Sequence, residues 1–231
     1  GLGDAILICA VRITSLCDCL ALQVPVVLCF AGCVPSSLTI PKKAKMKMQG
    51  RSVMMFIAMS LDGYIAGPGD DLGFLGQVER EGEDYGYRLM MDEVDTVVLG
   101  RRTYDQVMRI NGELAYGDRE TYVVSRQSFE GRGKLHFHQG DPALLIHMLR
   151  LRPGGKILVD GGAEILHDLF WHRQIDECII SIIPVMLGNG VKLFRDDRPK
   201  QELKLVQAKT YDSGLMQLHY TIHQNRHYSI Q

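Results

Sequence analysis

Three segments of this 231-residue chain join a short apolar run to groups that can hold an anion. The first is Lys156-Ile-Leu-Val-Asp160-Gly161-Gly162-Ala163-Glu164, where an apolar stretch ends in two glycines and passes into helix-forming sequence. A buried strand that opens into a helix presents backbone N–H groups and the positive end of the helix dipole. Glycine there leaves no side chain in the way of a phosphate. Val97-Val-Leu-Gly100-Arg101-Arg102-Thr103 repeats the arrangement and adds two guanidinium groups and a hydroxyl, all able to bind phosphate. Tyr122-Val-Val-Ser125-Arg126 supplies a third strand end. Each segment alone fits a tight strand-to-helix turn or a solvated arginine. Together they point to a nucleotide cofactor.

Ser125-Arg126 also bears on which nucleotide. An enzyme built for NADH often places a carboxylate after such a strand, where it accepts from the ribose diol and repels a 2′-phosphate. Serine and arginine do the reverse, so NADPH is favoured over NADH. Asp62, in Ser60-Leu-Asp62-Gly63-Tyr64, reads either as turn chemistry or as a carboxylate at the mouth of the cleft. Asp160 and Glu164 both suit the positive end of a helix, and neither is assigned a catalytic part. His136 and His138 alternate on one strand face but do not make a metal site without further ligands. No metal is expected.

Positioning these groups requires alternating strands and helices. Apolar runs at 52–58, 96–99, 121–124, 134–138 and 156–159 read as strands. Helices are expected over 78–93, where Tyr85, Leu89, Met90 and Val94 recur at helical spacing, and over 103–109. Asp141-Pro142 begins another, with Leu145, Met148 and Leu149 on its inner face and Pro153-Gly154-Gly155 as its stop. Ile165, Leu166, Leu169 and Phe170 line the helix after the paired glycines. From Glu177 the pattern becomes strand-rich, at 177–183, 191–194, 202–211 and 214–222, with Asp212-Ser213-Gly214 turning the last two into a hairpin. The expected class is α/β: three layers, α/β/α, with a mostly parallel sheet and an antiparallel C-terminal edge hairpin.

A net charge of −1 gives no support for broad attraction to nucleic acid or membranes. Cys9, Cys17, Cys19, Cys29 and Cys33 crowd the first part of the chain, and only Cys178 lies beyond. A body with one cysteine suits a reducing cytoplasm. Residues 1–47 are expected to be an N-terminal extension outside the fold, and 48–225 the folded domain. The first methionines are Met46 and Met48, and the apolar run before Cys33 is shorter than the roughly 20 residues of a membrane span. Phe30-Ala31-Gly32-Cys33 resembles a lipoprotein cleavage site, which leaves export as the competing reading.

Residues from about 52 to 222 resemble the reductases that share the dihydrofolate reductase fold. Among these, the chain is most similar to the C-terminal reductase domain of the bifunctional riboflavin-biosynthesis deaminase–reductase and its stand-alone relatives. The resemblance is carried by Phe56-Ile-Ala-Met-Ser-Leu-Asp62-Gly63-Tyr64-Ile-Ala66, Val97-Val-Leu-Gly100-Arg101-Arg-Thr103-Tyr104, Ile157-Leu-Val-Asp-Gly161-Gly162-Ala-Glu164 and Ile182-Ile-Pro184-Val-Met-Leu187-Gly188-Asn-Gly190. It implies an NADPH-dependent oxidoreductase, often a homodimer. The cofactor would lie across Gly100, Arg101, Arg102, Thr103, Ser125, Arg126, Gly161, Gly162, Ala163 and Glu164. Substrate would sit near Asp62, Gly63, Pro184, Leu187 and Gly188, with Asp62 as the catalytic carboxylate that orients it.

Neither a deaminase zinc signature nor the helix-borne acid of true dihydrofolate reductases is evident. Three functions therefore stay open. The first is hydride transfer to a small polar, heterocyclic or sugar-linked, C=N or C=O group. The second is reduction of a 5-amino-6-ribosylaminouracil phosphate in riboflavin biosynthesis. The third is NADPH sensing without catalysis.

Overall fold

The computed structural model describes residues 50–114 and 116–223. The expectations for residues 1–47, including their five cysteines and the cleavage-like site, lie outside them. The strands are β1 (Val53–Ser60), β2 (Tyr64–Ala66), β3 (Val94–Gly100), β4 (Glu120–Ser125), β5 (Leu135–Gln139), β6 (Lys156–Val159), β7 (Glu177–Ile183), β8 (Val191–Lys192), β9 (Leu203–Thr210) and β10 (Met216–Ile222). The helices are α1 (Tyr87–Met91), α2 (Arg101–Asn111), α3 (Pro142–Arg150) and α4 (Ala163–Trp171).

Eight strands form one sheet in the order β5-β4-β3-β6-β1-β7-β10-β9. β5 through β7 run parallel, whereas β10 lies antiparallel to β7 and β9 antiparallel to β10. β2 and β8 make a separate antiparallel pair. Helices α3 and α4 cover one face, where Leu145, Ile146, Leu149, Leu166 and Leu169 pack on Val53, Met55, Ile157 and Val159. On the other face Tyr87, Met90 and Met91 of α1 pack with Met54, Val97, Leu99 and Leu158. Strands covered on both sides must be apolar throughout, which is why Val97, Val98 and Leu99 are all fully buried. The fold is the expected three-layer α/β/α arrangement.

α3 starts as its sequence requires. The Asp141 carboxylate accepts from the Ala143 amide at 2.7 Å, with Pro142 in the first turn. Its inner face differs from expectation at one place: Ile146 is buried, while Met148 is 39% exposed. The helix expected over 78–93 shrinks to α1. Tyr85 and Gly86 both have positive φ, 53° and 81°, which no right-handed helix accommodates. Leu89, counted toward the buried face, is 75% exposed.

On β9, Gln207 pairs with His219 and Leu205 with Tyr220, so Val206 is an unpaired bulge in the outermost strand. Every residue of β9 is exposed.

Candidate functional site

In an open parallel sheet the carboxyl ends of the strands leave a crevice where the chain switches sides. Here that crevice is a cavity of about 1420 Å³. All ten residues expected to hold the cofactor, at 100–103, 125–126 and 161–164, line it. They arrive at the ends of β3, β4 and β6, neighbours or near neighbours in the sheet.

The glycines account for this convergence. The Gly100 amide donates to the Gly161 carbonyl at 3.0 Å, tying the ends of β3 and β6 together. Gly161 has φ of 98°, a backbone shape that side chains disfavour. A Cβ on Gly162 would lie 3.2 Å from the Thr103 hydroxyl oxygen. Neither α2 nor α4 has a side-chain hydrogen bond to its N-cap, Gly100 and Gly162 respectively. Their first-turn amides therefore face the cavity wall without a competing side chain.

The cationic groups are less open than the sequence implied. Arg101 donates from Nε to Asp105 at 2.7 Å and lies over the Phe129 ring, 4.1 Å from its centroid. Arg102 donates to Asp70 at 2.7 Å. Both line the cavity, but each already has a carboxylate. Arg126 is 93% exposed and only loosely tied to Glu164, at 3.4 Å. The buried Ser125 hydroxyl accepts from the Gln127 amide at 3.1 Å, which leaves its own proton to donate.

Asp62, expected as the catalytic, substrate-orienting carboxylate, is held by the loop that follows β7. It does not line the cavity, and neither do Gly63, Pro184, Leu187 and Gly188. Instead Asp62 accepts from the Ser60 hydroxyl at 2.5 Å, the Leu187 amide at 3.0 Å and the Gly188 amide at 2.7 Å. The Ser60 bond, with those two amides, holds its carboxyl below the usual carboxylate range. A carboxylate so occupied is a clasp between the turn after β1 and the 184–190 loop. That loop was expected to touch substrate because the resemblance placed it there. In the fold, only its last residue, Gly190, reaches the cavity.

Sequence reasoning assigned Asp160 no catalytic part and gave no sign of its partner. Asp160 lines the cavity at the end of β6. The Tyr116 hydroxyl donates to its Oδ2. Burial pushes the carboxyl up to about 7, although the Tyr116 hydrogen bond pulls it down. The buried Tyr116 phenol is itself held well above its usual range, first by burial and then by Asp160. Tyr116 lies 44 residues from Asp160 in sequence, so their pairing left no local trace. A carboxylate closing an apolar strand immediately before the glycine pair was the one available signal.

On the same face as Asp160 the cavity wall is aromatic and aliphatic. β1 and β6 run parallel in register through Met55 and Val159, so Phe56 and Asp160 follow side by side. Phe56 meets Tyr87 edge to face at 5.7 Å. Tyr85, Tyr87, Leu72, Ala58 and Leu215 line the cavity with them. Gln217 Nε2 donates to the Tyr85 carbonyl at 3.0 Å and to the Ser181 hydroxyl oxygen at 3.1 Å, bracing this wall.

Among the described residues no helix is long and apolar enough to cross a membrane. Residues 51–217 match the RibD C-terminal domain family. The uncharacterized protein YwjB of Bacillus subtilis (strain 168) is 36% identical over 172 residues, covering 74% of this chain and 97% of that protein. A crystal structure from Shewanella sp. PV-4, provisionally named a riboflavin biosynthesis protein, superposes with a TM-score of 0.69. It is 26% identical, and the match covers 75% of this chain and 99% of that one. Dihydrofolate reductase from Enterococcus faecalis, in a complex with NADP(H) and RAB-propyl, shares the fold at a TM-score of 0.55 and 16% identity, covering 75% of this chain and 97% of that one. Motif order, sheet topology and these likenesses agree: the chain belongs to the RibD C-terminal domain family, reductase-like proteins built on the dihydrofolate reductase fold.

Proposed function

We propose that the protein is an NADPH-dependent reductase whose site is the cavity at the carboxyl ends of β1, β3, β4, β6 and β7. The observation that carries this reading is the convergence of Gly100–Thr103, Ser125–Arg126 and Gly161–Glu164 on that one cavity, with Asp160 in its wall. The cradle fits a dinucleotide: two helix N-termini are free of side-chain caps, and the Gly162 backbone is packed too closely to Thr103 to accept a Cβ easily. When bound, NADPH supplies a hydride.

The chain's own groups do the rest. First-turn amides of α2 and α4, the Thr103 and Ser125 hydroxyls and Arg126 hold phosphate. Arg101, stacked on Phe129, shapes the wall beside them. Asp160 retains a proton near neutral pH and delivers it to a substrate nitrogen or oxygen, directly or through one water. Asp62 secures the neighbouring loop. The expected homodimer and cytoplasmic location belong to the same proposal, with residues 48–225 as its folded domain.

Calorimetric titration with NADPH and NADH tests the reading. NADPH binds at least tenfold more tightly than NADH, and Arg126→Ala removes most of that preference. A protein that binds neither nucleotide, or both equally, refutes it.

A further inference from the structure

β6 stops at Val159, whereas β1 runs on to Ser60. The two strands pair only as far as Met55 and Val159. Beyond that point Phe56, Ile57 and Ala58 line the cavity. Phe56 packs with the α1 layer and Ile57 with the α3 and α4 layer, so the cavity reaches both faces of the sheet. On the α4 face its wall includes Ile65, Ile165, Val191, Lys192, Arg195 and Asp168.

Five cations line this cavity, and they fall into two groups. Arg101, Arg102 and Arg126 stand at the ends of β3 and β4, each beside a carboxylate, at 2.7, 2.7 and 3.4 Å. Lys192 and Arg195 stand at the far end of the crevice, beyond β1, and neither has a carboxylate partner among the described residues. Asp168 lines the same wall without an ion pair to either. The segment that carries the two cations is fixed. β8 pairs with β2, and the Leu193 amide donates to the Gly63 carbonyl at 2.9 Å. Arg198 donates to the Arg195 carbonyl at 2.7 Å and lies over the Phe194 ring.

The order β4-β3-β6-β1 sets the direction of a bound dinucleotide. With its 2′-phosphate at Ser125–Arg126 and its diphosphate at the first turns of α2 and α4, its nicotinamide lies at the β1 end. Reduced nicotinamide carries no charge, so the cofactor offers Lys192 and Arg195 no partner. A cation in a cavity that fills with ligand loses water, and that loss is unfavourable unless an anion replaces the water. Lysine and arginine together suit an oxyanion, the guanidinium by paired N–H groups and the ammonium as a point charge.

We infer that the substrate of this site carries an oxyanion, a carboxylate or a phosphate, which Lys192 and Arg195 hold on the α4 face of the cavity. This inference rests on the NADPH reading of the neighbouring cradle.

The test uses the full chain, isotope-labelled and saturated with NADPH, so that the cofactor's own phosphate contacts are filled. Amide NMR shifts are followed while inorganic phosphate or acetate replaces chloride at constant ionic strength. At least one of the two anions binds with a dissociation constant of about 10 mM or below and shifts the amides of 191–195. The tighter of the two names the anion's chemistry. The double variant Lys192→Gln, Arg195→Gln weakens that binding by about tenfold or more, while Arg198→Gln, outside the cavity, leaves it within about twofold. NADPH binding by the double variant stays within about threefold of the parent, which confirms an intact fold. A parent that fails to bind NADPH refutes the cofactor reading, and this inference falls with it. A parent that binds NADPH but neither anion refutes this inference alone. It is also overturned if the double variant binds the anions as the parent does, or if the double variant loses NADPH affinity by about tenfold, which would assign both cations to the cofactor.

Discussion

Replacing Asp160 with asparagine separates a proton-holding carboxyl from a merely polar one. Asparagine keeps the shape and can still accept from Tyr116, but it cannot ionise. In the unfolded chain the aspartate loses its proton near 3.8, and in the fold near 7. The folded state thus retains the proton over a range where the unfolded state has released it. Stability falls as pH rises from about 4 to about 7, then levels off. The full loss is about 4 kcal/mol, at roughly 1.36 kcal/mol for each pH unit between those values. The variant has no such loss, so its stability relative to the parent improves by about that amount between pH 4 and pH 8. For a domain of this size, the melting-temperature difference should move by about 8–16 °C in the variant's favour. Thermal unfolding followed by circular dichroism at half-unit pH steps reads this directly. A difference that stays flat across the range would show that Asp160 titrates as an ordinary carboxylate, and its part as proton donor would fall with it. Turnover gives the second readout: parent kcat declines above pH 7, while Asp160→Asn lowers kcat by about 10²–10⁴ and removes that limb.

Tyr116→Phe removes the hydrogen bond that favours the ionised form of Asp160, so the alkaline limb of the pH–rate profile should move upward. A downward move contradicts the pairing. Gly161→Ala forces a side chain into a φ of 98°, at a cost of about 1–3 kcal/mol, and should lower both the melting temperature and NADPH affinity. Unchanged calorimetry would refute the strain argument. Asp62→Ala should leave the pH profile of turnover intact while proteolysis at the 184–190 loop speeds up. A loss of kcat at every pH without faster cleavage would restore Asp62 to catalysis.

Elements defined by neighbours in sequence were legible. Asp141-Pro142 marked the start of α3, and the apolar runs ending at Gly100, Ser125 and Asp160 marked strands whose carboxyl ends share one edge. Contacts between distant segments decided the rest. Residues 78–93 have helical periodicity, but the positive φ of Tyr85 and Gly86 answers to tertiary ties: Gln217 bonds the Tyr85 carbonyl and Ser213 its hydroxyl. Asp62 looked like a cleft carboxylate because its partners at 187 and 188 lie on a loop more than a hundred residues away. Asp160 looked like a helix-terminus charge for the corresponding reason, since Tyr116 reaches it from the connection between α2 and β4.

The bulge at Val206 bears on the company this chain keeps at high concentration. An outermost strand with a straight row of free amide and carbonyl groups is a template on which other chains add as strands. Val206 breaks that row in the middle, and Lys204 and Lys209 put like charges on either side of the break. The hairpin can therefore end the sheet without seeding fibrils, so a deletion that straightened β9 would be paid for in solubility before it was felt in the distant cleft.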